Sequence, residues 1–199
     1  MQKIMFNDRY GLTDAVIDYI KNNTRRIEGG EQFQRAATSA EDFTYEEATG
    51  CIVMCCQGIE IFRHKCRYKV GEVVAVAQSY YHAFSPRCDI PVYGADRTPG
   101  WRNKLFVRAD LMPHQIRITG IKCEQLQSIS HDDAMREGIY MDGGDDSYMP
   151  HYFYDYPNNP SEGFDTPREA FAALVDKVSG RGTWDRNPWV VVYEFELVK

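Results

Sequence analysis

The sequence lacks any long apolar run. No window approaches the roughly 18 consecutive apolar residues that a membrane-spanning helix needs, so no membrane span is expected. The first eight residues, MQKIMFND, lack the apolar segment of a secretory signal peptide. A cytoplasmic location is therefore the default expectation, and the six cysteines are not expected to form a disulfide framework.

The cysteine spacing of common zinc sites is also missing. Ligand types that zinc accepts do cluster between positions 51 and 66: Cys51, Cys55, Cys56, His64 and Cys66. However, no CxxC pair is present, and adjacent cysteines suit tetrahedral ligation poorly. Residues 50–56 are instead predicted to form a buried strand, because free cysteine is among the most buried residue types. No metal and no cofactor is expected.

An overall excess of positive charge is absent as well. The formal net charge is −6, which argues against a protein that coats nucleic acid. The charge is unevenly distributed, since Lys and Arg dominate residues 63–122 and Asp and Glu dominate residues 132–165. The basic segment either attracts phosphate groups or consists of solvated strand edges and partners of the acidic segment, and the sequence leaves both open.

What is present is a pattern of short strands and a few helices. Strands are predicted at 3–6, 50–56, 73–77, 104–108, 114–124 and 189–198. Helices are predicted at about 13–23, at 132–137 after the cap Ser130, and from Thr166, which caps a helix with Pro167 in its first turn. This pattern predicts an α+β fold, a small mixed barrel, in one domain of residues 1–199. Two excursions rich in Pro, Gly and aromatic residues, at about 80–104 and 141–163, are predicted to be long loop insertions.

The most informative run is residues 19–26, YIKNNTRR. Lys21 and Thr24 place an amine close to a hydroxyl, and an adjacent amine can activate a hydroxyl as a nucleophile. Arg25 and Arg26 can hold a phosphate or a carboxylate in bidentate fashion. The alternative is a helix that simply ends in basic residues, which complement the negative end of its dipole.

Four segments, in order over nearly the whole chain, resemble the ASCH-domain family, in particular its long version from phages and prophages. Residues 15–26 are similar to AILxGxKTxTRR, and residues 68–76 are similar to xxxGDxLxV. Residues 124–139 are similar to ERLQDISEEDAxxEGI, and residues 184–195 are similar to WxxNPWVxxxEF. In the first segment, Tyr19 stands at the position of the family's glycine.

The resemblance implies a PUA-like mixed β-barrel with flanking helices. It also implies that RNA or a modified nucleotide binds in a cleft of the barrel. The candidate binding residues of this cleft, besides Lys21, Thr24 and Glu137, are Asn22, Arg25, Arg26, Tyr80, Arg117 and Trp184. For Trp184 the alternative is packing in the core. A monomer is favoured.

Small ASCH enzymes imply a second function, which is metal-independent hydrolysis of the acetyl amide of N(4)-acetylcytidine. By motif position, Lys21, Thr24 and Glu137 would be the catalytic lysine, threonine and glutamate. In that case a lysine with a lowered pKa removes the proton of the threonine, and the glutamate relays a proton to the leaving amine. A phage-encoded protein-interaction module with tyrosine-rich loops is the third alternative.

Overall fold

The computed structural model describes residues 1–84, 98–143, 150–156 and 163–198. In these ranges, ten strands form three sheets, and six α-helices and several short 3-10 helices pack with them. This mixture confirms the α+β prediction. Parts of both predicted insertions, namely residues 85–97, 144–149 and 157–162, lie outside the described residues.

The secondary structure elements have the following bounds. The strands are β1 (Lys3–Ile4), β2 (Asn23–Arg26), β3 (Asp42–Glu46), β4 (Cys51–Cys56), β5 (Ile59–Lys65), β6 (Val73–Val76), β7 (Gln115–Gln125), β8 (Tyr140–Asp142), β9 (His151–Phe153) and β10 (Trp189–Leu197). The helices are α1 (Leu12–Ile17), α2 (Gly30–Ser39), α3 (Tyr80–Phe84), α4 (His131–Arg136), α5 (Pro167–Ser179) and α6 (Thr183–Arg186).

The largest sheet has five strands in the order β1-β6-β7-β10-β2. β1 runs parallel to β6, and the other neighbours are antiparallel. β10 pairs with β7 over its whole length and with β2 from Val191 to Glu194. Since Val190, Val191, Val192 and Tyr193 are all buried, β10 lies in the core and holds β2, which carries Thr24 and Arg25, in a fixed register.

A second, antiparallel sheet has the order β3-β4-β5, and β8 and β9 pair in a third, two-stranded antiparallel sheet. β4 confirms the strand predicted at 50–56, and its residues Ile52 and Met54 are fully buried. Among the described residues, His, Cys, Asp and Glu side chains form no group of three that could bind a metal ion. The predicted strand is present, with Cys51 buried and Cys55 and Cys56 half-buried.

Two predicted elements were wrong in part. The first helix ends at Ile17 rather than near Asn23, because Tyr19 adopts a positive φ of 62° and the amides of Ile20 and Lys21 both donate to the carbonyl of Ala15. Residues 104–106 form a 3-10 helix instead of a strand, since the side chain of Asn103 accepts a hydrogen bond from the amide of Leu105 and starts a tight turn.

The N-terminal caps of α4 and α5 were predicted correctly, whereas α1 is capped by Gly11 and not by Thr13 or Asp14. Ser130 accepts a hydrogen bond from the amide of Asp133 at the start of α4. Thr166 and Glu169 form a reciprocal capping box at the start of α5, with Pro167 in the first turn. In the described parts of the chain, no helix combines the length and the apolar character that a membrane crossing requires.

Candidate functional site

Lys21 lies in the turn between α1 and β2, and the end of α4 packs closely against it. Gly138, which follows Glu137, has a φ of 99°. A Cβ at Gly138 would lie 3.3 Å from Leu12 Cδ2 and 3.5 Å from Lys21 Cβ. Glycine thus supplies both the left-handed turn and the space that bring Glu137 next to Lys21.

Lys21 and Glu137 form a buried ion pair between residues 116 positions apart in the sequence. Lys21 Nζ donates to Glu137 Oε2 at 2.5 Å and to the Glu137 carbonyl oxygen at 2.7 Å. The two side chains are only 2% and 5% exposed. The structure therefore brings together two of the three residues predicted to be catalytic.

Arg25 extends this pair into a network. Its Nη1 donates to Glu137 Oε1 at 3.0 Å, its Nε and Nη2 donate to Glu124 Oε1 at 2.9 and 2.7 Å, and its Nη2 also reaches Asp133 Oδ2 at 3.1 Å. We refer to Lys21, Arg25, Glu124, Asp133 and Glu137 as the paired cluster. Each cation in it has at least one carboxylate partner.

Burial and charge act in opposite directions on the two cations of the paired cluster. Burial lowers the pKa of Lys21; the Glu137 carboxylate opposes this shift, and the guanidinium groups of Arg26 and Arg25 add to it. Burial also acts to lower the pKa of Arg25, but Glu137 and Glu124 outweigh it, so the net shift is upward. Lys21 is therefore the more readily deprotonated of the two, which suits a base.

A cavity of about 420 Å³ opens beside this cluster. Lys21, Thr24, Arg25, Arg26 and Glu137 all line it. Its apolar wall comes largely from α5 and its neighbours, with Leu12, Leu126, Phe171, Leu174, Val175, Val178 and Val190. The combination of an apolar wall with a few converging polar groups is typical of a small-molecule site.

Thr24 contributes a hydroxyl to the cavity. It pairs with Tyr193 in the β2–β10 ladder and is buried. Its hydroxyl makes no hydrogen bond with another described residue. The hydroxyl therefore shares the cavity with the Lys21–Glu137 pair without being bonded to it, and is available to a ligand.

A second group of charged residues, Arg26, Glu28 and Arg67, lines the same cavity. We call it the open cluster, because none of the three forms an Arg–carboxylate ion pair with another described residue. Glu28 Oε2 accepts from the Tyr193 hydroxyl at 2.9 Å and lies 3.4 Å from His64 Nε2. The centroid of the Phe6 ring is close to one cation of each cluster, 5.8 Å from Lys21 Nζ and 5.9 Å from the Arg26 guanidinium carbon.

Four of the predicted cleft residues do not line the cavity. The Asn22 side chain accepts from Arg136 Nε at 2.8 Å, and the Tyr80 hydroxyl accepts from the Arg108 amide at 3.0 Å. Arg117 is exposed and lies 3.6 Å from Glu196. The Trp184 ring packs against Phe171 in the core, with the Arg168 guanidinium 5.3 Å from its centroid, which favours the packing alternative.

Phe6, Glu28 and Arg67 are cavity residues that sequence reasoning missed. Glu28 follows the Lys21–Arg26 run directly, so its closeness in sequence was the one available signal. Phe6 and Arg67 reach the cavity through tertiary packing alone. No spacing in the sequence marks them.

Several basic residues between 63 and 122 form ion pairs with carboxylates. Arg63 pairs with Glu46 and Glu60, and Arg108 pairs with Asp110. Lys122 lies 3.1 Å from Glu124 and 3.4 Å from Asp133 of the acidic segment. These contacts favour pairing over phosphate binding for Arg63, Arg108 and Lys122.

Comparisons of the chain with family models, with curated proteins and with solved structures find no match.

Proposed function

We propose that the cavity beside Lys21 binds a small molecule derived from a modified nucleoside, and that the chain has the PUA-like fold of ASCH-domain proteins. The observation that carries the proposal is that five predicted site residues line one cavity: Lys21, Thr24, Arg25, Arg26 and Glu137. Its volume of about 420 Å³ falls within the range of small-molecule sites.

The backbone at Tyr19 supports the resemblance independently. The family motif has glycine at this position, and Tyr19 has a φ of 62°, in the region that favours glycine. Its side chain is 74% exposed, so the bulky residue is tolerated sterically. The turn that delivers Lys21 to the cavity thus has the conformation expected of a glycine-containing motif.

The charge distribution favours a small ligand over a long RNA tract. Arg63, Arg108 and Arg117 all lie beside carboxylates, as does Lys122. An extended RNA interface needs a continuous row of cations that face phosphates. The cations that face the cavity are instead confined to a pocket with apolar walls.

Titration calorimetry with N(4)-acetylcytidine and cytidine tests the binding proposal. Val178 lies at the cavity and is 44% exposed, so Val178→Trp fills the site without disturbing the core. Val198→Trp is the matched control, because Val198 is similarly exposed but does not line the cavity. We expect binding to be lost only in Val178→Trp. Absence of binding to the wild type, or equal binding to both variants, would contradict the proposal.

Amide hydrolysis at the same site is a second candidate, which one observation favours. Lys21 has a lowered pKa, is paired with Glu137, and shares the cavity with the unbonded hydroxyl of Thr24. In this reaction the Thr24 oxygen bonds to the acetyl carbon as its proton passes to Lys21. The C–N bond then breaks and the amine leaves with a proton relayed by Glu137. Water next cleaves the Thr24 ester to release acetate and restore the hydroxyl.

Release of cytidine and acetate from N(4)-acetylcytidine, followed by chromatography, tests the second candidate. Thr24→Val removes the nucleophile with little change in volume, whereas Thr24→Ser keeps a hydroxyl. We expect no turnover with valine and partial turnover with serine. If the wild type releases no cytidine, the reaction does not occur on this substrate. If Thr24→Val is as active as the wild type, the threonine is not the nucleophile.

The protein-interaction alternative has less support. Much of the tyrosine-rich insertions lies outside the described residues. The presence of a cavity beside Lys21 favours a ligand site at that position instead.

A further inference from the structure

The four cations that line the cavity are not equivalent. Lys21 and Arg25 belong to the paired cluster; Lys21 has one carboxylate partner and Arg25 has three, all within 3.1 Å. Arg26 and Arg67 line the same cavity, but neither forms an ion pair with another described residue. The cavity is therefore lined by two guanidinium groups that form no direct ion pair with a described residue.

Arg26 is held in place but incompletely bonded. Its Nη2 donates to the carbonyl oxygen of Met5 at 2.9 Å, and its guanidinium carbon lies 5.9 Å from the Phe6 centroid. Its Nε is buried and has no hydrogen-bond partner. A buried donor without an acceptor costs free energy. An anionic ligand that accepts a hydrogen bond from this nitrogen would remove that cost.

Glu28 is nearby but does not supply the missing acceptor. Its Oε2 is directed to the Tyr193 hydroxyl and to His64, and its Oε1 is buried without a partner. Burial raises the pKa of Tyr193, and Glu28 raises it further, so this hydroxyl stays protonated and keeps donating to Glu28. The carboxylate is thus held away from pairing with Arg26.

Arg67 is exposed at the cavity, and its guanidinium carbon lies 5.8 Å from the centroid of the Tyr68 ring. Its amide donates to the Tyr193 hydroxyl at 3.0 Å, which fixes its backbone beside the Glu28 contact. Burial raises the pKa of Tyr68, and Arg26 and Arg67 both oppose that shift. Both guanidinium groups therefore line one cavity and lie within electrostatic range of one phenol.

We propose that Arg26 and Arg67 form a phosphate subsite, so that the ligand of this cavity is a nucleoside monophosphate rather than an uncharged nucleoside. The inference rests on the proposed function, in which Lys21, Thr24 and Glu137 face the nucleobase end of the ligand. Guanidinium forks match phosphate oxygens in bidentate geometry. Arg26 and Arg67 carry two positive charges and Glu28 one negative charge, and this small surplus suits one phosphate group and disfavours a di- or triphosphate.

Calorimetry at low salt with two pairs of probes tests the subsite: cytidine with cytidine 5′-monophosphate, and N(4)-acetylcytidine with its 5′-monophosphate. We expect each monophosphate to bind roughly tenfold or more tightly than its nucleoside, because its phosphate forms charged hydrogen bonds that the nucleoside cannot form. Arg67→Gln, at an exposed position, is expected to remove most of that difference, and so is Arg26→Gln. Arg117→Gln, which lies outside the cavity, is the matched control and should retain it.

The outcomes separate the inference from the proposed function. If nucleosides and monophosphates bind with equal affinity, or if Arg67→Gln keeps the difference, the phosphate subsite is wrong while the cavity proposal stands. If no probe binds, the proposed function itself fails, and the subsite with it. A 5′-phosphorylated trinucleotide distinguishes the source of the phosphate: equal affinity assigns the subsite to strand ends, and weaker affinity assigns it to free nucleotides.

Discussion

The paired cluster and the open cluster line one cavity but differ in how completely their charges are matched. Arg25 meets three carboxylates, whereas its neighbour Arg26 meets a backbone carbonyl and leaves a buried nitrogen unbonded. Adjacent residues on one strand thus perform different tasks. Arg25 links β2 to β7 and α4 through ion pairs, whereas Arg26 has a hydrogen-bond donor beside the cavity that remains unused.

The difference indicates which residues of this site stabilise the fold and which are free to bind a ligand. A buried charge that is fully paired becomes expensive to remove, because its partners are left uncompensated. A charge that is only partly bonded contributes less to folding and more to recognition of an anion. Substitutions in the two clusters should therefore separate unfolding free energy from ligand affinity.

The largest expected effect is on folding, from Arg25→Gln. The substitution leaves Glu137, Glu124 and Asp133 without their shared partner, and should lower the free energy of unfolding by about 3–5 kcal/mol. Arg26→Gln is the matched control on the same strand and should cost only about 1 kcal/mol. Urea denaturation of both variants measures the difference. Equal losses would show that the two clusters are not distinct in stability.

A smaller effect is expected from Tyr193→Phe, which removes a buried hydroxyl that bonds to the Arg67 amide and to Glu28. We expect a loss of about 1–3 kcal/mol. The freed Glu28 should also pair with Arg26 and thereby weaken the binding of a monophosphate. Tyr68→Phe, which loses one bond to the Lys3 carbonyl oxygen, is the control and should leave ligand affinity unchanged. Unchanged affinity in Tyr193→Phe would contradict the positioning of Glu28 by this hydroxyl.

The pH dependence of stability should distinguish Lys21 from Lys122. The pKa of Lys21 is lowered from 10.5, chiefly by burial, so the unfolded chain binds more protons than the folded one between the lowered pKa and 10.5. The wild type should therefore gain stability relative to Lys21→Met as the pH rises through that window, by at most about 1.4 kcal/mol per pH unit.

Lys122 provides the opposite case. Burial acts to lower its pKa, but Glu124 and Asp133 raise it above 10.5 on balance. Its contribution is fully present below pH 10.5 and is lost as the pH rises through the raised pKa. Denaturation curves of Lys21→Met and Lys122→Met against the wild type measure both slopes. Slopes of the same sign would be inconsistent with a desolvated Lys21.

The smallest expected effect concerns Asp133 in acid. Burial acts to raise its pKa, but Lys122 and Arg25 outweigh it, and the pKa lies below 3.8. Its contribution is present above pH 3.8 and is lost as the pH falls through the lowered pKa, so Asp133→Asn should lose less stability in acid than the wild type. Asp14, whose pKa is raised mainly by burial, should give the opposite trend in Asp14→Asn. Identical acid transitions for both variants would contradict this assignment.

Local signals allowed part of the fold to be predicted. Thr166, Pro167 and Glu169 specify the start of α5 through hydrogen bonds within one turn, and Ser130 does the same for α4. By contrast, β2 was not predicted. The strand is four residues long, and its pairing with β10 determines its conformation more than its own composition does.

The candidate site was predictable to the extent that a motif carried it. Lys21, Thr24 and Glu137 follow from the resemblance, and the structure brings them to one cavity. Arg67 and Phe6 were missed, because tertiary packing alone brings them there. Tyr80 and Arg117 were also expected in the cleft, but Tyr80 lies in α3 with its hydroxyl bonded to the Arg108 amide, and Arg117 is exposed on β7 beside Glu196.

The position of β2 at one edge of the sheet, next to β10, has a consequence for the order in which the protein is made. During synthesis Lys21 and Thr24 leave the ribosome before Glu137, which follows more than a hundred residues later. β2 still has no strand to pair with until Trp189–Leu197 emerges. A nascent chain that lacks β10 carries the three motif residues without the cavity they line, so ligand binding would begin only after β10 has emerged.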